Sequence, residues 1–309
     1  MAGGITASET AALMLNATKS LDHRVSGAGF RTNSLRYRSS ITGETGPRTA
    51  ETFLLNTQLR RGDRETEASV GSYYEEAVVR MLANDGIESV PSLAMKTVPR
   101  AAALPLRLDQ CFARRRSQRT FTGDPIQFEQ LAALLYAAAG VTANAEARFE
   151  GSDEPVVVQF RSAPSPGGLF AIDLYLSIQK VEGLLPGLYK YGPRSARLGM
   201  LRGADAVTAV RRAFSFPDEL IAISNANVVF VLVLRPQKLM RKYGDRGVRY
   251  AFIEAGEITQ NVHLAVTSLG FGSVECAGFY DADMLEAFGL DAGTNYVVHT
   301  IVVGVPPSG

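Results

Sequence analysis

Apolar residues recur at helical spacing over residues 6–21, 50–59 and 72–83, and these three segments are expected to be helices. Residues 22–48, rich in Arg, Ser, Gly and Thr, are expected to be irregular, and the charge-dense residues 60–67 a polar turn. PRAAALP at residues 99–105 looks like a linker. It divides the chain into a helical wrap or partner-docking region, residues 1–105, and a main domain, residues 106–309.

In the main domain the periods alternate. Residues 127–139 form an amphipathic Ala/Leu-rich helix between Pro125 and Gly140, in keeping with proline near helix starts and glycine past their ends. Strands are expected at 155–161, 170–181, 188–191 and 227–234, with 227–234 the central one, and a last strand at 296–303. Helices are expected at 204–214, 249–269 and 281–288. This order of elements gives an α+β or mixed α/β domain. The helix at 249–269 has small residues (Ala251, Ala255, Gly256, Ala265) and apolar ones around most of its circumference. It is expected to be buried, in a dimer core or the centre of a large monomer.

Composition narrows the function. The formal net charge is +1, so no global field points to nucleic acid or an anionic membrane. The most apolar stretch, residues 226–234, is too short to span a bilayer, and no signal peptide is read at the start of the chain. Two distant cysteines, Cys111 and Cys276, make neither a disulfide framework nor a zinc pattern, and a cytoplasmic protein is expected. His23, His263 and His299 are scattered, and no metal site is expected.

Four segments carry candidate chemistry. Arg115, Arg116, Ser117 and Arg119 crowd guanidinium forks and a hydroxyl together, which suits a phosphate or an ordinary solvated turn. Pro164, Ser165, Pro166, Gly167 and Gly168 form a stiff loop whose paired glycines would admit a flat ligand or make a plain tight turn. Lys242 and Tyr243 sit in an Arg-Lys-Tyr-Gly-Asp-Arg stretch whose cations are expected to lower the phenol's pKa towards acid/base work; a surface turn is the other reading. Ala277 and Gly278 end a glycine-punctuated strand whose backbone N–H groups suit a heteroaromatic edge. Cys276, with no His near in sequence, is expected to be a buried small residue.

RRSQRTF at 115–121, RSAPSPGGLFAIDLYL at 161–176, VEGLLPGLYKY at 181–191, KYGDRGVRYAFIEAGEITQNVHLAVTSLGFG at 242–272 and AGFYD at 277–281 occur in an order that resembles the nitroreductase-like flavoproteins. Within them it resembles the SagB-type azoline dehydrogenases of thiazole/oxazole-modified peptide pathways. The resemblance implies a nitroreductase-like fold, a central mixed or antiparallel sheet flanked by helices, with an N-terminal helical extension. It implies FMN as cofactor, its phosphate and ribityl chain held by Arg115, Arg116, Ser117 and Arg119. Pro164, Ser165, Pro166, Gly167 and Gly168 would line the isoalloxazine from the partner subunit of a domain-swapped homodimer, and Ala277 and Gly278 would meet the flavin edge. Lys242 and Tyr243 match the Lys-Tyr pair implicated in azoline oxidation.

Glu257 stands where the family often has His. A C-terminal Lys/Arg clamp is absent from the last residues, so the segment from Arg115 to Arg119 is expected to carry more of the phosphate binding, with Arg107 and Arg241 as helpers. The activity implied is oxidation of thiazolines or oxazolines in a precursor peptide to thiazoles or oxazoles, with Tyr243 as base and Lys242 assisting. The implied partners are a cyclodehydratase and a peptide-recognition subunit. A generic NAD(P)H-dependent nitro- or quinone reductase, and a structural flavin-binding subunit, are the other readings.

Overall fold

In the computed structural model, residues 49–59, 61, 64–75, 78–79, 92–150 and 154–308 are described. The helix expected at 6–21 and the irregular segment at 22–48 lie outside them. The chain divides into two compact units, residues 1–64 and 65–309. The first contains helix α1 (Thr49–Asn56).

The second holds all but the first residue of α2 (Arg64–Ser72), then β1 (Ala94–Thr97), α3 (Leu108–Arg114), β2 (Ile126–Gln127) and α4 (Phe128–Ala139). A hairpin of β3 (Val141–Ala147) and β4 (Val156–Arg161) follows, then β5 (Ile172–Ile178), β6 (Val181–Glu182), β7 (Gly187–Gly192) and β8 (Arg197–Arg202). The chain continues through α5 (Ala204–Arg212), β9 (Val228–Leu234), α6 (Gln237–Tyr243) and the long α7 (Gly247–Ser268). It ends with β10 (Gly272–Cys276), α8 (Asp281–Phe288) and β11 (Tyr296–Gly304). Among the described residues no helix is long and apolar enough to cross a membrane.

Seven strands make one antiparallel sheet in the order β1-β8-β7-β5-β9-β11-β10. Its interior strand β9, beside the middle strand β5, is buried at every position, because both faces of the sheet are covered. Alternate side chains serve two cores. Val228, Phe230, Leu232 and Leu234 join Leu174 and Leu176 of β5 beneath α4 and α7. Val229, Val231 and Val233 join Tyr175 of β5 beneath α5 and α8. Asn227, fully buried, ties off the sheet end: its amide donates to the carbonyls of Asp124 and Lys180, and its side-chain oxygen accepts from Val305 N–H.

The α+β class and the flanking-helix layout agree with the sequence reading. The expected strand at 170–181 is β5 alone, with Val181 moved to a separate short strand. A polar turn was expected at 60–67, yet α2 starts at Arg64, with Glu67 in its first turn near the favourable end of the helix dipole and no apolar stripe. β1 and β3 lack buried alternation, since every residue of β1 is exposed, so period gave no sign of them. The long helix α7 is buried along one face only. Phe252, Ile253 and Gly256 are exposed on the other, with open space where a Gly256 side chain would stand.

Phe230 is fully buried at the sheet centre. Phe230→Ala is expected to lower unfolding free energy by about 3–5 kcal/mol, read by urea denaturation; a loss below about 1 kcal/mol would contradict this account of the core.

Candidate functional site

The first half of α7 anchors the Pro/Gly loop through a buried carboxyl. Glu254 accepts a hydrogen bond from the Ser165 hydroxyl at 2.6 Å and from Ile172 N–H at 3.0 Å. Burial raises its pKa despite these bonds. The Ser165 oxygen accepts from Phe170 N–H at 2.8 Å. Ser165 therefore uses its hydroxyl within the chain. The loop's open surface is supplied by Pro164, Gly167 and Gly168, with Pro166 half-buried at the start of a single 3₁₀ turn. Gly167 and Gly168 have φ of 64° and 67°, and Phe170 has φ of 47°. Two cations brace that strained residue: the Arg161 guanidinium lies 4.0 Å from the Phe170 ring centroid, and Lys238 Nζ donates to the Phe170 carbonyl at 3.1 Å.

Lys242 and Tyr243 occupy the last turn of α6 rather than an extended turn. Their polar ends meet at the loop. A Cβ at Gly167 would lie 2.6 Å from Tyr243 Oη and 2.9 Å from Lys242 Nζ, so only glycine leaves room for both. Lys242 is buried, and its ammonium faces three tyrosine rings, with centroids at 5.2 Å (Tyr73), 5.4 Å (Tyr74) and 5.4 Å (Tyr243). Tyr73 and Tyr74 follow α2, which is fastened to α6 by Ser69 Oγ donating to the Arg241 carbonyl. The sequence reading gave these two tyrosines no role.

The expected lowering of the Tyr243 pKa does not hold. Burial raises it, with further contributions from Tyr250, Tyr74 and Tyr73. The flanking arginines are not directed at it: Arg241 is exposed, and Arg246 donates to Tyr250 Oη at 2.8 Å. The Tyr250 ring stands edge-on to Tyr243, with centroids 5.1 Å apart. Lys242 moves the other way, lowered by burial.

The arginine segment lies beside the second half of α7. Residues 115–119 leave α3 and run along β10: Ser117 pairs with Ser273 in parallel, and Gln118 N–H donates to the Ser273 carbonyl at 2.9 Å. Ser273 Oγ is 2.7 Å from Nδ1 of buried His263, whose pKa is lowered by burial. Arg116 turns back to donate to the Ala113 and Arg115 carbonyls at the end of α3. Arg116, Ser117 and Arg119 are exposed, and Arg115 is half-buried. Ala277 and Gly278, also exposed, follow β10 on the same side as Arg119, which exerts a Coulombic influence on Cys276. Burial pushes the Cys276 thiol up to about 11, so it is an inert core residue at neutral pH.

The structure thus makes two groups, each internally close. One is the loop with Glu254, Lys242 and Tyr243; the other is the arginine segment with Ala277 and Gly278. Glu254 and His263 mark them on one helix, nine residues and roughly 13 Å of rise apart. The exposed guanidiniums and hydroxyl of the second group suit a phosphate, and its bare backbone suits a ring edge. Beside the first group is a cavity of about 340 Å³ lined by Tyr73, Tyr74, residues 157–161 of β4, residues 167–170, Arg194, Lys238 and Lys242.

A family model described as "Nitroreductase family" matches residues 112–305. A protein of Methanocaldococcus jannaschii described as a nitroreductase, MJ1384, is 32% identical over 181 residues, 59% of this chain and 83% of that protein. The microcin B17-processing protein McbC of Escherichia coli is 26% identical over 138 residues, 43% of this chain; the chain spans 50% of McbC. A crystal structure from Ralstonia eutropha JMP134, described as a nitroreductase, superposes with a TM-score of 0.55 at 25% identity, covering 71% of this chain and 94% of that one. The E. coli microcin synthetase McbBCD complex with truncated pro-MccB17 superposes with a TM-score of 0.52 at 20% identity, covering 80% of this chain and 95% of the matched chain. That last likeness is one of fold.

Two outcomes test the site's construction. Gly167→Ala is expected to displace Lys242 and Tyr243 with little loss of folded protein, seen as an altered crystal position of both side chains; an unmoved pair would refute the close fit. Glu254 has a folded pKa above its unfolded value, so its contribution to stability is full below the ordinary carboxylate range and is lost as pH rises through the raised value. Urea midpoints of wild type and Glu254→Gln should therefore diverge with pH across that window, and a constant difference would show that Glu254 does not titrate there.

Proposed function

Because this chain belongs to the nitroreductase family, and is an oxidoreductase by that membership, we propose that it is an FMN-dependent dehydrogenase. Its substrates would be peptide thiazolines or oxazolines, oxidised to thiazoles or oxazoles in the making of a ribosomally synthesised modified peptide. The observation that carries this reading is the meeting of Lys242 and Tyr243 at Gly167, where a lysine amine and a phenol share one small opening. The sequence likeness to McbC, a microcin-processing protein, supports the peptide substrate.

Arg115, Arg116, Ser117 and Arg119 would hold the FMN phosphate and ribityl chain, and Ala277 and Gly278 would meet the ring edge. Bound FMN supplies a two-electron acceptor for the hydride lost from the azoline. The loop of Pro164, Ser165, Pro166, Gly167 and Gly168 would complete the site from a second copy. The separation of the two residue groups along α7 supports that arrangement, as do exposed Phe252 and Ile253 beside the bare backbone of Gly256. A cyclodehydratase and a peptide-recognition subunit are the proposed further partners.

The shifts in pKa exchange the roles expected of the pair. A phenol raised above its ordinary value is a poor base at neutral pH, whereas a lysine lowered by burial is more often a neutral amine. Lys242 would take the proton from the azoline carbon. Tyr243 would remain a phenol, hydrogen-bonding to the ring substituents and orienting them. The tyrosines around Lys242 limit water and hold its chain in one direction.

The 32% identity to MJ1384 favours a second reading, a general NAD(P)H-dependent nitro- or quinone reductase. Rapid flavin reduction by NAD(P)H without azoline oxidation would select it.

Turnover of an azoline peptide by the FMN-loaded protein is expected to rise with pH as Lys242 deprotonates, with its midpoint below the ordinary lysine value. Lys242→Arg, which stays charged, is expected to lose at least about a hundredfold in kcat together with that pH limb. Tyr243→Phe is expected to keep the limb at a kcat lowered by about tenfold. Azole formation followed by absorbance checks this, and undiminished oxidation by both variants would sink the assignment.

A further inference from the structure

The cavity beside the catalytic pair has a charge imbalance that azoline chemistry does not require. Arg161, Arg194 and Lys238 line it alongside the amine of Lys242, and among the described residues no carboxylate does. Arg194, Arg161 and Lys238 also line a smaller cleft next to it, which contains Asp173. That carboxylate is already engaged by Lys190 at 2.9 Å and Arg235 at 3.0 Å, which hold its pKa below the usual range. It lines the smaller cleft and not the larger cavity. Arg194 is the clearest case. It is half-buried in the turn between β7 and β8, and among the described residues no hydrogen bond or ion pair engages its guanidinium.

The wall opposite these cations has a different character. Residues 157–161 line the cavity consecutively, although successive side chains of a strand point to opposite faces. An unbroken run of lining residues means that the edge of β4 faces the space. β4 pairs with β3 on one side, and among the described residues no strand pairs with the other. An open edge beside a cavity accepts an extended peptide through main-chain hydrogen bonds. Phe160 and Phe170 add apolar surface there.

We infer that this cavity is a recognition site for an extended, carboxylate-bearing peptide segment flanking the ring to be oxidised, with Arg194 as its principal anion contact and Arg161 and Lys238 in support. The occupant's identity as substrate rests on the dehydrogenase reading; the charge selectivity does not. Lys242 lies at the boundary, so a peptide seated along β4 brings its neighbouring ring to the catalytic amine. The carboxylate belongs to an acidic side chain or to the peptide's C-terminus, and these two sources can be separated.

The test uses the full-length, FMN-loaded protein and short peptides already carrying the aromatic thiazole, so that binding is read by calorimetry without turnover. Four peptides combine Glu or Gln beside the ring with a C-terminal acid or amide. The peptide with neither carboxylate should bind more weakly by about tenfold or more, and Arg194→Glu should remove the advantage of the charged ones while binding the neutral one as wild type does. Dependence on Glu or on the terminal acid alone names the source and supports the site. N-methylation of the backbone amides on one edge of the peptide should weaken binding further, as strand addition requires.

Equal binding of all four peptides, or equal loss of all four in Arg194→Glu, overturns the proposal. So does loss of flavin absorbance in Arg194→Glu and in the milder Arg194→Gln, which would make the cavity part of the cofactor site. Thermal melts show that each variant is folded. Absence of azoline oxidation with charge-selective binding intact would overturn the dehydrogenase reading and leave this site standing.

Discussion

The candidate site depends on a carboxyl group buried in the wall of a helix. Glu254 is taken out of water at a cost, and that cost is offset only if its oxygens are met by donors. Ser165 and Ile172, at the two ends of the Pro/Gly loop, provide them. The loop is thereby fixed to α7 at both ends while its middle projects with positive φ. Gly167 can then stand in front of Lys242 and Tyr243, with no side chain of its own to block them. If Glu254 were replaced by an apolar residue, the Ser165 hydroxyl and the Ile172 N–H would need other partners, and the opening would lose its fixed shape.

Much of the fold is legible in the sequence. Helix α4 was fixed by Pro125, Gly140 and its apolar period, and α8 and β11 by equally plain patterns. The central strand was visible because a run of seven apolar residues has few other uses. The chemical segments were found by residue type: arginines grouped with a serine, glycines paired between prolines, and a lysine beside a tyrosine. Each of these signals is local, and each survives without knowledge of the partners.

What sequence could not show was where side chains are directed. The cations flanking Tyr243 looked able to lower its pKa, but Arg246 bonds Tyr250 and burial outweighs the rest. Ser165 looked like a ligand contact, but its hydroxyl serves the loop. Tyr73 and Tyr74 are about 170 residues from Lys242 in sequence and had no pattern linking them to it. β1 escaped notice because an exposed edge strand needs no apolar alternation, only backbone partners.

The chain order of these parts bears on how the molecule is made. Ala94 in β1 pairs with Met200, and Ser69 reaches the carbonyl of Arg241, 172 residues away. Closing such long loops is entropically slow, so contacts of this range form after the local helices and hairpins. A ribosome delivers the tyrosine segment first, but it can dock only after α6 has emerged and folded. The lysine's aromatic surroundings would thus be among the last contacts completed. A half-folded chain would carry an uncaged, solvated amine, and its reactivity would be withheld until the tyrosine segment has docked on α6.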